Sequence, residues 1–338
     1  MQVIRVTNDI RKQWDEFVST HATDGGILQS WLWGDFQKSL GRSIFRLAAY
    51  SREGDLVAVA LLVKQEIHFD YNYLYCPRGP VINTANFDDA SPFFSEIKML
   101  AREQKSFLVR VDPAWTIGSD KRLLDADFRK TEKEVQPKCS LIIDITQSED
   151  ELLGGMKQKT RYNLNLATKK PVVVRVSSEI ADVEPFWQLM KQTAKRDSIR
   201  SHPKEYYKKM FELLSPDGTA QFFIAQYDNK IIAVNMVTFF GTTCTYLHGT
   251  SADLYRGVMA PYLLQWHAMV EAKKRGIQWY DFGGVNAHSF QDQRWAGITR
   301  FKTGFAPDQP PTEFVGGFEA VINPVIYSAY TFVKQIRG

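Results

Sequence analysis

Residues 280–284 of this 338-residue chain read Tyr-Asp-Phe-Gly-Gly. An acid at the end of a strand-like run, followed at once by two glycines, lets a backbone come close to a ligand, often a phosphate, or makes a tight turn that needs positive φ. The spacing is neither the G-x-G-x-x-G of a dinucleotide site nor a phosphate loop closed by Gly-Lys-Ser/Thr. Other reactive residue types narrow the field. The six histidines, at 21, 68, 202, 248, 267 and 288, show no H-x-x-x-H spacing and pair with no cysteine at ligand distance, so no metal is expected. Cys76, Cys139 and Cys244 are far apart and odd in number, which argues for a reducing cytoplasm and against disulfides. There is no G-x-S-x-G nucleophile, and each cysteine reads as a small buried hydrophobe.

A hairpin, a further strand and then a helix is how N-acetyltransferase-type domains begin their cofactor site. Their pyrophosphate loop commonly reads Arg/Gln-x-x-Gly-x-Gly/Ala at a helix start. Arg256-Gly257 begin such a loop, but Met259 stands where a glycine is required and Pro261 removes a donor. "CPRGPV" in the first half is no better, so CoA is not expected as cofactor. Lys157, Lys159, Arg161, Lys169 and Lys170 fall within fifteen residues, and on a helix Lys157, Arg161 and Asn165 share a face. A solvated helix face is one reading. With the aromatic-interleaved "AKRDSIRSHPKEYYKK", an anionic substrate is the other.

The length of 338 residues is enough for one large or two ordinary domains. Hydrophobic content of 44% and charged content of 24% suit a globular chain, and the net charge of +4 is too mild to announce a nucleic-acid binder by itself. No apolar run approaches the roughly 18 residues of a membrane span, and the N-terminus is too polar for a signal peptide. Strand and helix patterns alternate throughout, so the class is α/β or α+β. A helix capped by Asn8 follows the strand "QVIRV". A second, "LQSWLWGDFQKSL", carries Leu28, Trp31, Leu32 and Phe36 on one stripe. The strands "IFRLAAYS" and "LVAVALLVKQEIHF" form a hairpin. After "YNYLY" come a helix over 88–104 and the strands "FLVRVD" and "SLIIDI". Helices over 148–170, 179–197 and 203–214 precede a second hairpin. "GDLVAVALLV" resembles "NKIIAVNMVT", Tyr73 answers Tyr246, and "FLVRVDP" answers "IQWYDFGG", all at nearly one offset. A duplicated domain follows, with units over 1–145 and 146–317, and a helix within 318–338 packing back on the first. No apolar heptads persist, so no coiled-coil arm is inserted.

"GGILQSWLWGDFQKSLGR", "YLYCPRGPV", "VRVDP", "MKQKTRYNLNLA", "YLHGTSADLYRGVMAPYLLQW", "YDFGG" and "FKTGF" lie in the order and spacing of the Fem family, which this chain resembles over about residues 25 to 335. These FemA/FemB/FemX-type aminoacyltransferases build peptidoglycan cross-bridges, and the missing arm resembles the compact FemX type. The resemblance implies two tandem N-acetyltransferase-like (GNAT) domains without CoA or metal, acting in the cytoplasm as a monomer. It implies aminoacyl-tRNA as donor and UDP-MurNAc-pentapeptide or lipid II as acceptor, the latter with peripheral membrane contact. Lys38 resembles a family lysine that holds the acceptor's diphosphate. Asp112 resembles an aspartate at the stem-peptide end of the substrate cleft. Tyr206 and Tyr246 resemble tyrosines of the nucleotide-sugar site, and Phe301-Lys302 the pair at the tRNA end. His202 stands where the compact type tends to carry a phosphate-binding arginine, for which Arg200 or Arg196 is the substitute. Phe107 occupies what can be a tyrosine and could only stack.

The chemistry implied is aminolysis of an activated ester by the amine of the third stem-peptide residue. It requires positioning, a neutral amine and help for the developing oxyanion. Lys302 is expected to supply that help, and Asp112 either accepts a proton or positions the acceptor ammonium. Two rival readings remain: an N-acyltransferase of the same fold with another donor or acceptor, and a non-catalytic binder of wall precursors.

Overall fold

The computed structural model describes residues 1–67, 71–84, 90–131, 134–287 and 290–337, the side chains of 334–337 excepted. The chain divides into two compact units, Met1–Lys138 with Glu313–Gly338, and Cys139–Thr312.

In the first unit the strands are β1 (Gln2–Arg5), β2 (Ile44–Tyr50), β3 (Leu56–Glu66), β4 (Asn72–Arg78), β5 (Val81–Ile82), β6 (Leu108–Pro113) and β7 (Arg129–Lys130). The sheet runs β1-β2-β3-β4-β6, then the late strand Phe318–Val321, then β7, with β5 against β3. β4 and β6 are parallel, joined through the helix Ser91–Glu103, whose Phe93, Phe94, Ile97 and Leu100 are buried in this unit's core. Residues 88 and 89, where that helix is expected to begin, lie outside the described residues, as do residues 68 and 69 of the expected first hairpin.

The second unit repeats the plan. Its strands β8 (Cys139–Asp144), β9 (Val173–Ser177), β10 (Ala220–Tyr227), β11 (Lys230–Phe240), β12 (Thr243–Ser251) and β13 (Trp279–Gly284) run in the order β8-β13-β12-β11-β10-β9. Again one neighbouring pair, β12 and β13, is parallel, and the helix Ala260–Lys274 joins it and packs on the core. The hairpins agree residue by residue. Ala58 pairs with Ala49 and Ala233 with Ala225, each beside a register shift. Tyr73 and Tyr246 do not correspond. They stand opposite Gln65 and Val237, on different rungs of the two ladders.

Several local expectations are corrected. The strand "SLIIDI" belongs to the second unit, because β8 pairs antiparallel with β13, so the division falls at 138/139 rather than at 145. The return to the first unit falls at 312/313 rather than at 317. The helix over 148–170 is two helices, Glu149–Gly155 and Gln158–Lys169, broken after two glycines; a Ser148–Glu151 capping box starts the first. Arg161 turns back to the carbonyls of Leu153, Gly154 and Met156, so it caps the broken end instead of facing a ligand. The first helix, Arg11–His21, takes no cap from Asn8; Asp9 accepts from the Arg11 N–H at 2.8 Å. In the second helix, Trp31–Ser39, the buried aromatics are Trp33 and Phe36, while the Arg46 guanidinium sits 3.8 Å over Trp31. The longest described helices have 15 residues, and among the described residues no helix is long and apolar enough to cross a membrane.

Candidate functional site

In the first unit, Asp112 at the end of β6 is a satisfied carboxylate, 2% exposed. It accepts from the Tyr75 hydroxyl at 2.6 Å, the Arg78 N–H at 2.9 Å and the Gln136 N–H at 3.2 Å. Burial pushes its pKa up to about 6, against the pull of the Arg78 guanidinium and these donors. Arg78 also faces Asp24 at 3.3 Å and donates to the Pro137 carbonyl at 2.9 Å. One layer back, Gln29 accepts from the Leu61 N–H at 2.8 Å and donates to the Pro77 carbonyl at 2.6 Å. Ser30 follows, caps Trp33 N–H at 3.1 Å and starts the helix that carries Lys38. That lysine is exposed, and among the described residues its ammonium has no hydrogen bond or ion pair. Phe107 is placed differently from the expectation. At 1% exposure it packs 5.0 Å from the Tyr330 ring and 6.3 Å from Tyr73, so it offers a ligand no face to stack on.

In the second unit the helix Lys204–Leu214 brings aromatic rings together. The His202 imidazole stacks on Tyr206, with 3.8 Å between centroids, and the His202 N–H donates to the Tyr207 hydroxyl at 3.2 Å. Tyr207 meets His248 edge-on at 5.2 Å. Burial, and then the nearby His202, press His248 down to about 3, so it is neutral near pH 7. Arg196 is committed to Asp197, Asp253 and the Ser251 carbonyl. Arg200 is exposed and, among the described residues, has no such partner, so it is the arginine open to an anion.

The Tyr-Asp-Phe-Gly-Gly strand end is where the second unit holds a charge. Asp281, 6% exposed, accepts from the Gly283 N–H at 2.7 Å and from the Ser140 hydroxyl. Gly283 takes φ +70°, and a Cβ there would be in ordinary contact, 3.7 Å from both Lys302 Nζ and the Tyr246 carbonyl. Glycine is therefore required for the turn and not for space. The next carbonyl, that of Gly284, accepts from Lys302 Nζ at 2.8 Å. Lys302 lies on the helix Ala296–Thr303 and is 8% exposed. Aromatics pin this helix. Half-buried Phe301 lies 4.9 Å from Tyr262, and Phe305, just beyond the helix, lies 5.0 Å from Phe282. The ammonium is 5.8 Å from the Tyr246 ring centre. Burial lowers its pKa to about 8, Asp281 pulling the other way. An ammonium has three donors; among the described residues one is used.

Around Tyr246 lie residues that motif reasoning missed. A Cβ on Gly249 would overlap the Tyr246 phenol. The ring is half-buried, yet burial pushes the hydroxyl well above its usual range. Asn235, opposite Gly249 on β11, has a buried amide nitrogen with no hydrogen-bond partner among the described residues, and the Gln265 side chain reaches the Tyr246 hydroxyl. Gln265 is also held by the Tyr280 hydroxyl, at 2.6 Å. A signal existed for both: Asn235 interrupts the apolar "IIAVNMVTFF", and Gln265 the apolar "YLLQWHAMV". The helix start that would cradle CoA is short of donors, since Pro261 has none and the Tyr262 N–H returns to the Met259 carbonyl at 3.0 Å. Among the described residues no group of three or more His, Cys, Asp or Glu could hold a metal, His68 and His288 lying outside them.

The FemAB family profile matches residues 10–126, 124–228 and 216–335. The chain belongs to the FemAB family. Lipid II:glycine glycyltransferase of Staphylococcus aureus (strain USA300) is 24% identical, over 99% of this FemAB chain and 96% of that protein. The crystal structure of FemX has a TM-score of 0.85 at 22% identity, covering 97% of this chain and 99% of that one. A tandem GNAT protein from the clavulanic acid biosynthesis pathway has a TM-score of 0.60 at 10% identity, covering 96% and 99%. The FemAB fold is thus two tandem N-acetyltransferase-like units, as the repeated sheets display.

Proposed function

We propose that this FemAB protein is an aminoacyltransferase of peptidoglycan cross-bridge synthesis. It moves an amino acid from aminoacyl-tRNA to the side-chain amine of the third stem-peptide residue of a wall precursor, UDP-MurNAc-pentapeptide or lipid II. It acts in the cytoplasm as a monomer, without CoA or metal. The name of its Staphylococcus aureus relative, a lipid II:glycine glycyltransferase, supports the reaction class. The observation that carries the reading in this chain is the buried Lys302 ammonium, fixed by one carbonyl and, among the described residues, with two donors left for a substrate oxygen.

The mechanism follows from that placement. The acceptor amine attacks the ester carbonyl carbon, the C–N bond forms and negative charge gathers on the carbonyl oxygen. A preorganised ammonium in a water-poor site stabilises that charge more than it does the neutral ester. The bond to the tRNA ribose oxygen then breaks, and that oxygen leaves with the proton the amine has lost. Lys38 is the group for the acceptor's diphosphate; in the second unit His202, Tyr206 and Tyr246 are the groups for its nucleotide sugar, and Arg200 substitutes for the arginine that His202 replaces. Asp112, with its oxygens already occupied, shapes the stem-peptide end through Arg78. Support for a nucleic-acid donor comes from the helix Gln158–Lys169. Exposed Lys159, Tyr162 and Lys169 follow one another at helical spacing there, and Tyr162 is 65% exposed. The Lys157 N–H donates to the Gly304 carbonyl at 2.9 Å, so this helix starts two residues from Lys302 in the chain it touches.

The test is transfer from a mixed aminoacyl-tRNA pool to UDP-linked and lipid-linked acceptors, read by mass spectrometry beside acyl-CoA donors. An aminoacyl mass added only with tRNA supports the reading. Transfer from acyl-CoA, or binding with no transfer, refutes it.

A further inference from the structure

We infer that Asp281 is a positioning residue for Lys302: it fixes the Gly283–Gly284 backbone whose carbonyl holds the ammonium, and it supplies the negative charge beside it. The link is continuous. The carboxylate accepts the Gly283 N–H at 2.7 Å, which closes the strand end into its left-handed turn at φ +70°. That turn aims the Gly284 carbonyl at Lys302 Nζ, 2.8 Å away. Ser140 on the neighbouring strand β8 donates to the same carboxylate oxygen and anchors it from the other side. Asp281 is 6% exposed, so its charge acts on the ammonium with little screening by water.

Among the described residues few titratable groups lie around the ammonium. Asp281 comes from β13 and Tyr246 from β12, whose phenol is held neutral by burial; Arg300 on the lysine's own helix is exposed. Asp281 is the charge that opposes the effect of burial on Lys302. Without it the ammonium loses its proton at lower pH, and the group proposed to meet the oxyanion is neutral over more of the working range.

The inference rests on the transfer reading only for the use made of the ammonium; the positioning is a property of the protein alone. The discriminating variant is Asp281→Asn, which keeps an oxygen for the Gly283 and Ser140 donors and removes the charge. Lysine-selective 13C labelling, with the Lys302 signal assigned by its loss in Lys302→Arg, reads the titration directly. The wild-type signal should titrate near 8, and in Asp281→Asn the midpoint should fall by about half a unit or more. The alkaline limb of the transfer rate should move to lower pH with it. A purely structural aspartate would instead give a loss equal at all pH values. An unchanged Lys302 midpoint in a folded Asp281→Asn overturns the inference. A midpoint that moves in a protein that transfers nothing leaves the positioning standing and removes the transfer reading.

Discussion

The Tyr246 phenol occupies the space in which residue 249 would carry a Cβ, so Tyr246 lies where it does because residue 249 is glycine. Both sit on β12, opposite β11, where a register shift separates the Met236–His248 and Val237–Tyr246 pairs. The shift and the missing side chain together let a tyrosine fold along its own strand.

Gly249→Ala should therefore displace Tyr246 without touching any substrate. Overpacking of this kind costs about 1–3 kcal/mol of stability. Acceptor binding should weaken as much as in Tyr246→Ala, measured by calorimetric titration. Normal acceptor binding by a folded Gly249→Ala would mean that Tyr246 plays no part in recognition.

Lys38→Met should leave the fold intact, because the side chain is exposed and has no partner among the described residues. Loss of one charge-assisted phosphate contact should weaken acceptor binding roughly ten- to a hundredfold. An unaltered acceptor titration would make Lys38 an ordinary solvated helix residue.

Asp112 makes the stability of the protein depend on pH. Its folded pKa of about 6 lies above the ordinary 3.8. Between those values the native state binds the extra proton, so this group's contribution falls as pH rises from 3.8 to about 6 and is level above. Asp112→Asn should abolish that slope. At neutral pH it should cost about 1–3 kcal/mol, because an amide nitrogen would face a backbone N–H. Urea midpoints across the range read both effects. A variant that is fully stable yet inactive would make Asp112 the proton acceptor instead.

Tyr162→Ala should raise the KM for aminoacyl-tRNA about five- to a hundredfold if its ring carries a base of the donor's single-stranded end. Lys159→Met should lower the slope of log affinity against log salt by about 0.7, one phosphate's worth on a single strand. Unchanged tRNA binding in both variants would return this helix to a solvated face.

The architecture was legible because it is repeated: Ala58-Val59 and Ala233-Val234 fall on equivalent rungs of two hairpins. The strand Cys139–Asp144 was misplaced because its apolar run says that it is buried and not which sheet it completes. Lys302 and the Tyr-Asp-Phe-Gly-Gly strand end can each be picked out, but the bond between them, 18 residues apart, follows only from the turn at Gly283. Phe107 shows the reverse error. A residue placed by analogy with a tyrosine turned out to be filled around by Tyr73 and Tyr330, the latter from the final helix.

Single-turnover transfer by Lys302→Met, with donor and acceptor saturating, tests most directly whether the buried ammonium serves the reaction. Removing one preorganised donor from a developing negative charge should slow transfer about 10²–10³-fold. Acceptor affinity should be nearly unchanged, since the lysine meets the donor end. A near-normal transfer rate in this variant would contradict the account and place the reacting ester elsewhere.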